Sequence, residues 1–287
     1  MTRGDAAADS ALPPLGLIAG EGRLPELVAD GMAQAGRRVA CLALDRRVRP
    51  TLARRATLQK PVSMLQIGRW IRVMRRWGVE EAVMVGRVRK DTMYDPVGIA
   101  RSLPDARTLR LFFHTLRHDR RSQTLLAAVA DEIASGGIQL IDSTRYIPDH
   151  LATPGHLAGP PAPPGGAVQQ AVDFGWPILM RMNDLEVGQA VAVRGGDIVA
   201  VEAIEGTDAM IQRAGALARG KRWVLLKGAG PKKDMRFDVP TVGVRTLEKL
   251  AAAGAIGFAV QAGQVILIDK PEVLAAADRL KVTLLGV

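Results

Sequence analysis

The sequence predicts an α/β fold in two domains, a Rossmann-like N-terminal domain and a smaller C-terminal α/β domain with a mixed sheet. Three observations predict it. Residues 15–34 run from an apolar strand through Gly20-Glu-Gly22 into a helix opening on Pro25, and 39–44 supply the next strand, the strand–helix–strand order of a parallel sheet. Residues 148–166 carry six prolines and four glycines, too many for helix or sheet, and predict a semi-rigid connector. Residues 187–193 and 198–203 alternate in polarity around Arg194-Gly-Gly-Asp197, the signature of a hairpin. The expected organisation is a first domain over 1–147, a linker over 148–166 and a second domain over 167–287.

Length and composition bound the class. A chain of 287 residues is long enough for two ordinary cores. With 48% apolar and 24% charged residues it is globular rather than disordered. The single Cys41 excludes an internal disulfide and a multi-cysteine zinc site, and fits a reducing, cytoplasmic compartment. No secretory signal is expected, because the first ten residues hold no apolar segment. The longest apolar runs, such as 250–260, fall short of the ~20 residues a membrane-spanning helix needs.

The net charge of +10 sits mostly in the first half. Residues 1–150 hold 24 Lys and Arg against 16 Asp and Glu, or +8; residues 151–287 hold 15 against 13, or +2. Such a surface favours an anionic partner, whether phosphorylated substrate, acidic lipid or nucleic acid, although an arginine-biased proteome yields the same composition with no partner behind it. Aromatic residues at 4% offer little stacking platform and no nucleic-acid motif is present, so nucleic acid is not expected.

The other elements follow from periodicity and punctuation. Leu24, Leu27, Val28 and Met32 share one helical face, closed by Gly36. Asp45 ends the second strand, either to meet a ribose or as a turn former; the third glycine of a dinucleotide fingerprint is missing. The glycines at 20 and 22 imply a close backbone approach to something, a phosphate or a sugar among the candidates. Residues 46–60 read as a basic connector. Residues 62–77 predict an amphipathic helix with Leu65, Ile67, Ile71, Met74 and Trp77 inward. Its outward Arg69, Arg72, Arg75 and Arg76 form either a solvated face or a membrane-surface contact. A third strand over 81–85 ends in Gly86-Arg-Val-Arg-Lys90, a glycine and cations where open α/β sheets bind ligands. His114 and His118 lack a third ligand at zinc spacing and are read as structural. A helix over 122–135 and a strand over 137–141 complete this half. The second half opens with a short helix, followed by the hairpin, a helix to Arg219 and a strand over 223–226. Further strands at 241–244, on either side of Ala262-Gly263 and at 282–285 alternate with a helix from Thr246 and a terminal helix.

The candidate chemistry lies in two stretches. Val-Glu-Ala-Ile-Glu-Gly-Thr-Asp-Ala-Met at 201–210 packs Glu202, Glu205 and Asp208 into a strand-to-helix corner. Thr207 falls at the N-cap and Asp208 in the first turn, where the helix dipole favours negative charge. Residues 227–240 form a Gly/Pro-broken loop carrying Lys227, Lys232, Lys233 and Arg236 among Asp234 and Asp238. Carboxylates suit Mg²⁺ and cations suit phosphate, so the two loops together predict a metal-and-phosphate site; separately they are two solvated turns.

Several segments carry a family resemblance, in order and over nearly the whole chain. These are Gly16-Leu-Ile-Ala-Gly-Glu-Gly-Arg-Leu-Pro25, Glu81-Ala-Val-Met-Val-Gly-Arg-Val88, Val187-Gly-Gln-Ala-Val191, the 201–210 corner and Asp234-Met-Arg-Phe-Asp-Val-Pro240. Together they resemble the LpxI family, the UDP-2,3-diacylglucosamine pyrophosphatases of lipid A biosynthesis. The resemblance implies Mg²⁺-dependent hydrolysis of the pyrophosphate to UMP and 2,3-diacylglucosamine 1-phosphate, with the lipid product held between two domains. It also implies an essential aspartate in an Arg-x-Asp-x-Pro motif, which is Asp238 here. The catalytic set expected is Asp238, Asp208 and Lys227, and the metal set Asp238, Glu205 and Asp208. Substrate contacts are expected from Gly20, Gly22, Leu24, Gly86, Arg87, Gln189, Glu202, Gly206, Thr207, Met210 and Arg236. Which carboxylate ligates and which activates water stays open. Three departures stand out: Arg87 in place of the usual Lys, an altered Gly230-Pro-Lys-Lys-Asp234, and Arg120-Arg-Ser-Gln-Thr-Leu125 in place of a Gly-Asp-Asp element.

The partners expected are therefore a lipid-linked UDP-sugar and, peripherally, the inner-membrane surface from the cytoplasmic side; a homodimer is left open. Two rival readings rest on the residues alone. One is a non-enzymatic nucleotide-sugar or nucleic-acid-binding module using the basic half, the other an NAD(P)-linked enzyme using the Rossmann-like half.

Overall fold

The apolar runs of the first half become a wholly parallel sheet. The computed structural model describes residues 12–44, 48–87, 103–116, 122–220, 222–230, 234–237 and 239–287. It separates into two units that meet in sequence between Tyr146 and Ile147. The first unit holds β1 (Leu15–Ala19), α1 (Leu24–Gln34), β2 (Val39–Ala43), α2 (Val48–Leu52), β3 (Leu58–Pro61), α3 (Ile67–Arg76) and β4 (Glu81–Val85). After these come α4 (Ala106–Leu111), a π turn over Phe112–Leu116, α5 (Ser122–Ser135) and β5 (Gln139–Leu140). Strand order is β3-β2-β1-β4-β5, all parallel, so the winding reverses between β1 and β4. Every residue of β1 and β2 is buried, as strands covered on both faces require.

Two expectations for this unit need correcting. The segment read as a basic connector contains α2 and β3, which makes β4 the fourth strand. β3 escaped notice because it is a half-exposed edge strand with no polarity alternation, and an edge tolerates Pro61. α3 begins at Ile67 rather than at residue 62. Trp70 joins its buried face and donates its indole N–H to the Ser63 carbonyl at 2.7 Å, while Leu65 and Trp77 are only half-buried. Arg69, Arg72, Arg75 and Arg76 are exposed. His114 is exposed too, whereas Asp45, His118 and the lead-in 1–11 lie outside the described residues.

One aspartate starts two helices here. Asp105 Oδ1 accepts from the Thr108 N–H at 3.0 Å, capping α4, and Oδ2 accepts from the Arg69 N–H at 3.0 Å, capping the first turn of α3. Gly68 makes this approach feasible, since a Cβ there would stand 2.7 Å from Asp105 Oδ2.

The second unit is a three-layer sandwich. Its elements are β6 (Gly155–Ala158), α6 (Ala167–Asp184), β7 (Ala190–Arg194), β8 (Asp197–Val201), α7 (Thr207–Leu217) and β9 (Trp223–Lys227). They continue with β10 (Thr241–Val242), α8 (Val244–Ala252), β11 (Ala255–Val260), β12 (Ile266–Leu267), α9 (Lys270–Leu280) and β13 (Thr283–Gly286). Six strands pair in the order β6-β13-β11-β9-β7-β8, with β13, β11 and β9 parallel and the other three antiparallel to their neighbours. β10 and β12 form a separate parallel pair. Side-chain alternation assigns the two faces. Ala190, Ala192, Trp223 and Leu225 pack with Met210, Ile211, Leu247 and Val273 of α7, α8 and α9. Val191, Val193, Val224 and Leu226 pack under Val168, Val172 and Leu179 of α6.

The predicted linker is largely structured. Residues 148–150 form a 3₁₀ turn, Leu151 bridges to Ile266, and β6 pairs with β13, all inside the second unit. The prolines at 148, 154, 160 and 161 flank the strand instead of interrupting it, so an edge position can absorb them. α6 is also longer than expected, because Gly175 and Pro177 lie within it. Gly175 is there for contact: a Cβ would stand 2.5 Å from Leu226 Cδ1 and 2.6 Å from Val193 Cγ2.

Asp105→Ala removes the cap of α4 and one of the two acceptors of the Arg69 N–H, which keeps the Gln66 carbonyl, and should cost about 1–2 kcal/mol. Asp105→Asn keeps one carbonyl acceptor and should recover about half. The denaturant midpoint should fall in that order with an unchanged slope; equal midpoints for wild type and the alanine variant would refute the double cap.

Candidate functional site

Lys227 follows Trp223 and Leu225 on the α7-facing side of β9, and Glu202 follows Ala200 on the same side just past β8. β7 lies between these strands and contributes only Ala190 there, opposite Lys227, with its carbonyl accepting from the Glu202 N–H at 2.9 Å. The N-terminus of α7 closes the gap. Lys227 Nζ donates to Thr207 Oγ1 at 2.7 Å, and the Thr207 hydroxyl donates to Glu202 Oε1 at 2.7 Å. Both charged residues are buried, Lys227 at 7% and Glu202 at 9% exposure. Glu202 Oε2 is buried with no hydrogen-bond partner among the described residues, a costly state for a carboxylate oxygen and a place for a donor or a cation.

The neighbouring backbone is drawn in tightly. The Gly228 N–H donates to the Gln189 carbonyl at 3.0 Å, and a Cβ at Gly188 would stand 1.9 Å from the Glu202 carbonyl oxygen. Gly206 precedes α7 with φ +81°, a conformation glycine adopts freely. Met210 is fully buried, one turn into α7, as part of the core.

The other acids of the corner point elsewhere. Glu205 accepts from the Arg213 guanidinium and from the Ala203 N–H, and the Arg213 hydrogen bond holds its carboxyl below the usual range. Asp208 is 64% exposed and pairs with Lys249 of α8. Such exposed pairs are weak and salt-screened. In the following loop Arg236 grips Asp234 through Nε and a terminal nitrogen, and also lies 5.5 Å from the Phe237 ring centre. That grip keeps Asp234 ionised well below its ordinary range. Phe237 is buried, while Asp238, Lys232 and Lys233 lie outside the described residues. Among the described residues no group of three or more His, Cys, Asp or Glu converges to hold a metal ion.

In the first unit, Gly20, Gly22, Gly86 and Arg87 gather at the carboxyl ends of β1 and β4, the reversal of winding where open sheets bind ligands. The glycines serve backbone against backbone. A Cβ on Gly20 would stand 2.5 Å from the Arg87 carbonyl oxygen, and one on Gly86 (φ +96°) 2.7 Å from the Gly20 carbonyl carbon. Glu21 and Arg87 exchange both main-chain hydrogen bonds, at 2.7 and 2.9 Å. Gly22, at φ +107°, borders open space before the half-buried Leu24, and Arg87 is exposed.

Two family models match this chain, the LpxI N-terminal domain over residues 14–150 and the LpxI C-terminal domain over residues 160–285. The chain belongs to the LpxI family. A relative named UDP-2,3-diacylglucosamine pyrophosphatase LpxI, from Caulobacter vibrioides, is 32% identical over 284 residues, which cover 95% of this chain and 97% of that protein.

Within this LpxI chain, sequence reasoning missed two side chains beside Lys227. Gln261 Oε1 accepts from the N–H groups of Ala229 and Gly230 at 2.8 and 3.1 Å. Asn183, at the end of α6, packs against Gly230, with its amide nitrogen buried and without a hydrogen-bond partner among the described residues. The available signal was a lone polar residue closing the apolar strand 255–260. Cys41 is no rival nucleophile in this LpxI fold: it is buried in β2, and desolvation pushes its thiol up to about 12.

Proposed function

We propose that this chain hydrolyses the pyrophosphate bond of UDP-2,3-diacylglucosamine, with Mg²⁺, to release UMP and 2,3-diacylglucosamine 1-phosphate in lipid A biosynthesis. The observation that carries this reading is the 32% identity, over 95% of the chain, to a pyrophosphatase of that name. In the reaction water adds across the P–O–P bridge: one phosphorus gains the water oxygen, and the bridging oxygen leaves on the other phosphate.

The residues fit that chemistry. Lys227 and the N–H groups at the start of α7 supply positive charge for phosphate oxygens. Mg²⁺ needs only one or two carboxylates beside phosphate oxygens and waters, and the partnerless Oε2 of Glu202 is a buried donor suited to it. Asp238 is the second carboxylate in this reading. Glu205 and Asp208, turned outward to Arg213 and Lys249, would add ligands only with those ion pairs broken. When bound, the ion neutralises charge on the pyrophosphate oxygens. Thr207 orients Lys227 and Glu202, and a carboxylate takes the proton of the attacking water. Arg236 and Gln189 complete the phosphate-side contacts within the second unit, and the loops of Gly20–Gly22 and Gly86–Arg87 are the ligand-binding strand ends of the first.

The substrate carries two acyl chains, and among the described residues no helix is long and apolar enough to cross a membrane. The reading is therefore a cytoplasmic protein that meets the inner membrane at its surface, through the exposed arginines of α3.

The purified protein should release UMP from UDP-2,3-diacylglucosamine only with a divalent cation. Undiminished turnover in excess EDTA would remove the metal, and no turnover by folded protein would favour a binding module. Asp238→Ala should abolish UMP release while melting temperature and ligand retention stay near wild type; a destabilised but active variant would defeat the assignment. For the membrane contact, flotation should rise with anionic phospholipid content and drop in an Arg72→Glu/Arg76→Glu variant. Flotation indifferent to lipid charge would exclude α3.

A further inference from the structure

β9 ends at Lys227 and the next strand is β10, and the described residues that follow the one and precede the other are fixed differently. Before β10, the Pro240 carbonyl accepts from the Ile266 N–H at 2.9 Å, and Val242 pairs with Leu267. Phe237 is buried just before Asp238. After Lys227 no strand pairs with the chain among the described residues, yet Gly228, Ala229 and Gly230 are all buried. Buried N–H groups must find acceptors. Gly228 uses the Gln189 carbonyl, and the next two both use one atom, Gln261 Oε1.

Three features make that arrangement specific. The Gln261 N–H donates to the Lys227 carbonyl at 3.0 Å, carrying the β9–β11 ladder one residue beyond the strands. Its side chain then turns across Gly228, where a Cβ would stand 2.9 Å from Gln261 Oε1. Gly230, at φ +75°, lies so close to Asn183 that a Cβ would stand 2.6 Å from that residue's own. The loop start is thus held between β11 and α6, directly after Lys227.

We propose that Gln261 is a positioning residue for the hydrolysis: by accepting from the Ala229 and Gly230 N–H groups it fixes the main chain directly after Lys227, and with it the place of the Lys227 amine. It touches no reacting atom. The role rests on the pyrophosphatase reading above and acts through Lys227. What it requires is a side-chain acceptor at that one point, which sets it apart from a packing role.

The experiment uses full-length protein and three variants. Gln261→Met keeps length and removes the acceptor; Gln261→Glu keeps an acceptor; Gln261→Asn withdraws it by one methylene and serves if Met fails to fold. The clamp predicts that Met and Asn lower kcat for UMP release by roughly 10- to 100-fold, the scale of a 1 Å misplacement. KM should change less than threefold, and Glu should recover most of the loss. Amide hydrogen exchange at Ala229 and Gly230 should speed up at least tenfold in Met and Asn, with Leu225 unchanged. This arm needs no turnover, so a wild-type protein that releases no UMP refutes the reading while exchange still decides the clamp. Unchanged exchange overturns the clamp. Faster exchange with wild-type kcat, or a Glu variant as slow as Met, overturns the positioning role.

Discussion

A lysine amine buried at the end of a central strand must find hydrogen-bond acceptors, and the second unit is arranged around meeting that demand for Lys227. Strand alternation aims Lys227 and Glu202 at one face. Ala190 keeps the intervening strand low, and α7 starts where its first side chain, Thr207, reaches both. A hydroxyl suits this place because it accepts and donates at once. The result is a cation and a carboxylate held near each other through a hydroxyl, with one carboxylate oxygen, Glu202 Oε2, unpartnered among the described residues.

Glycine does the complementary work of bringing backbones together. Gly188 presses the chain before β7 against the Glu202 carbonyl, and Gly228 clears the path of the Gln261 carboxamide. In the first unit Gly20 and Gly86 let the loops after β1 and β4 cross. These contacts lie at strand ends, where close-packed main chain provides N–H groups and carbonyls without mobile side chains. Both units therefore build their strand-end loops by the same means, although one sheet is wholly parallel and the other mixed.

Much of this was legible in the sequence, for identifiable reasons. The Arg194–Asp197 hairpin announced itself through two central glycines, which the structure places at φ +57° and +82°. The 122–135 helix appears with the expected bounds. β3 and β6 were not legible, because edge strands need neither alternation nor freedom from proline. The acidic corner was found, but sequence spacing could not sort its members. Glu202 turns inward because it extends a strand, while Glu205 and Asp208 turn outward to Arg213 and Lys249 because they sit on the corner and the exposed side of the first turn. Gln261 carried no motif, since its role arises only when β11 pairs beside β9.

The central claim is that Thr207 couples Lys227 to Glu202. A double-mutant cycle on stability, with Lys227→Met and Glu202→Gln, tests it most directly when run in wild-type and Thr207→Val backgrounds. Coupling should be about 1 kcal/mol or more with threonine present and fall to the ~0.3–0.5 kcal/mol of independent sites with valine. Additive effects in the wild-type background, or a coupling that survives Thr207→Val undiminished, would contradict it.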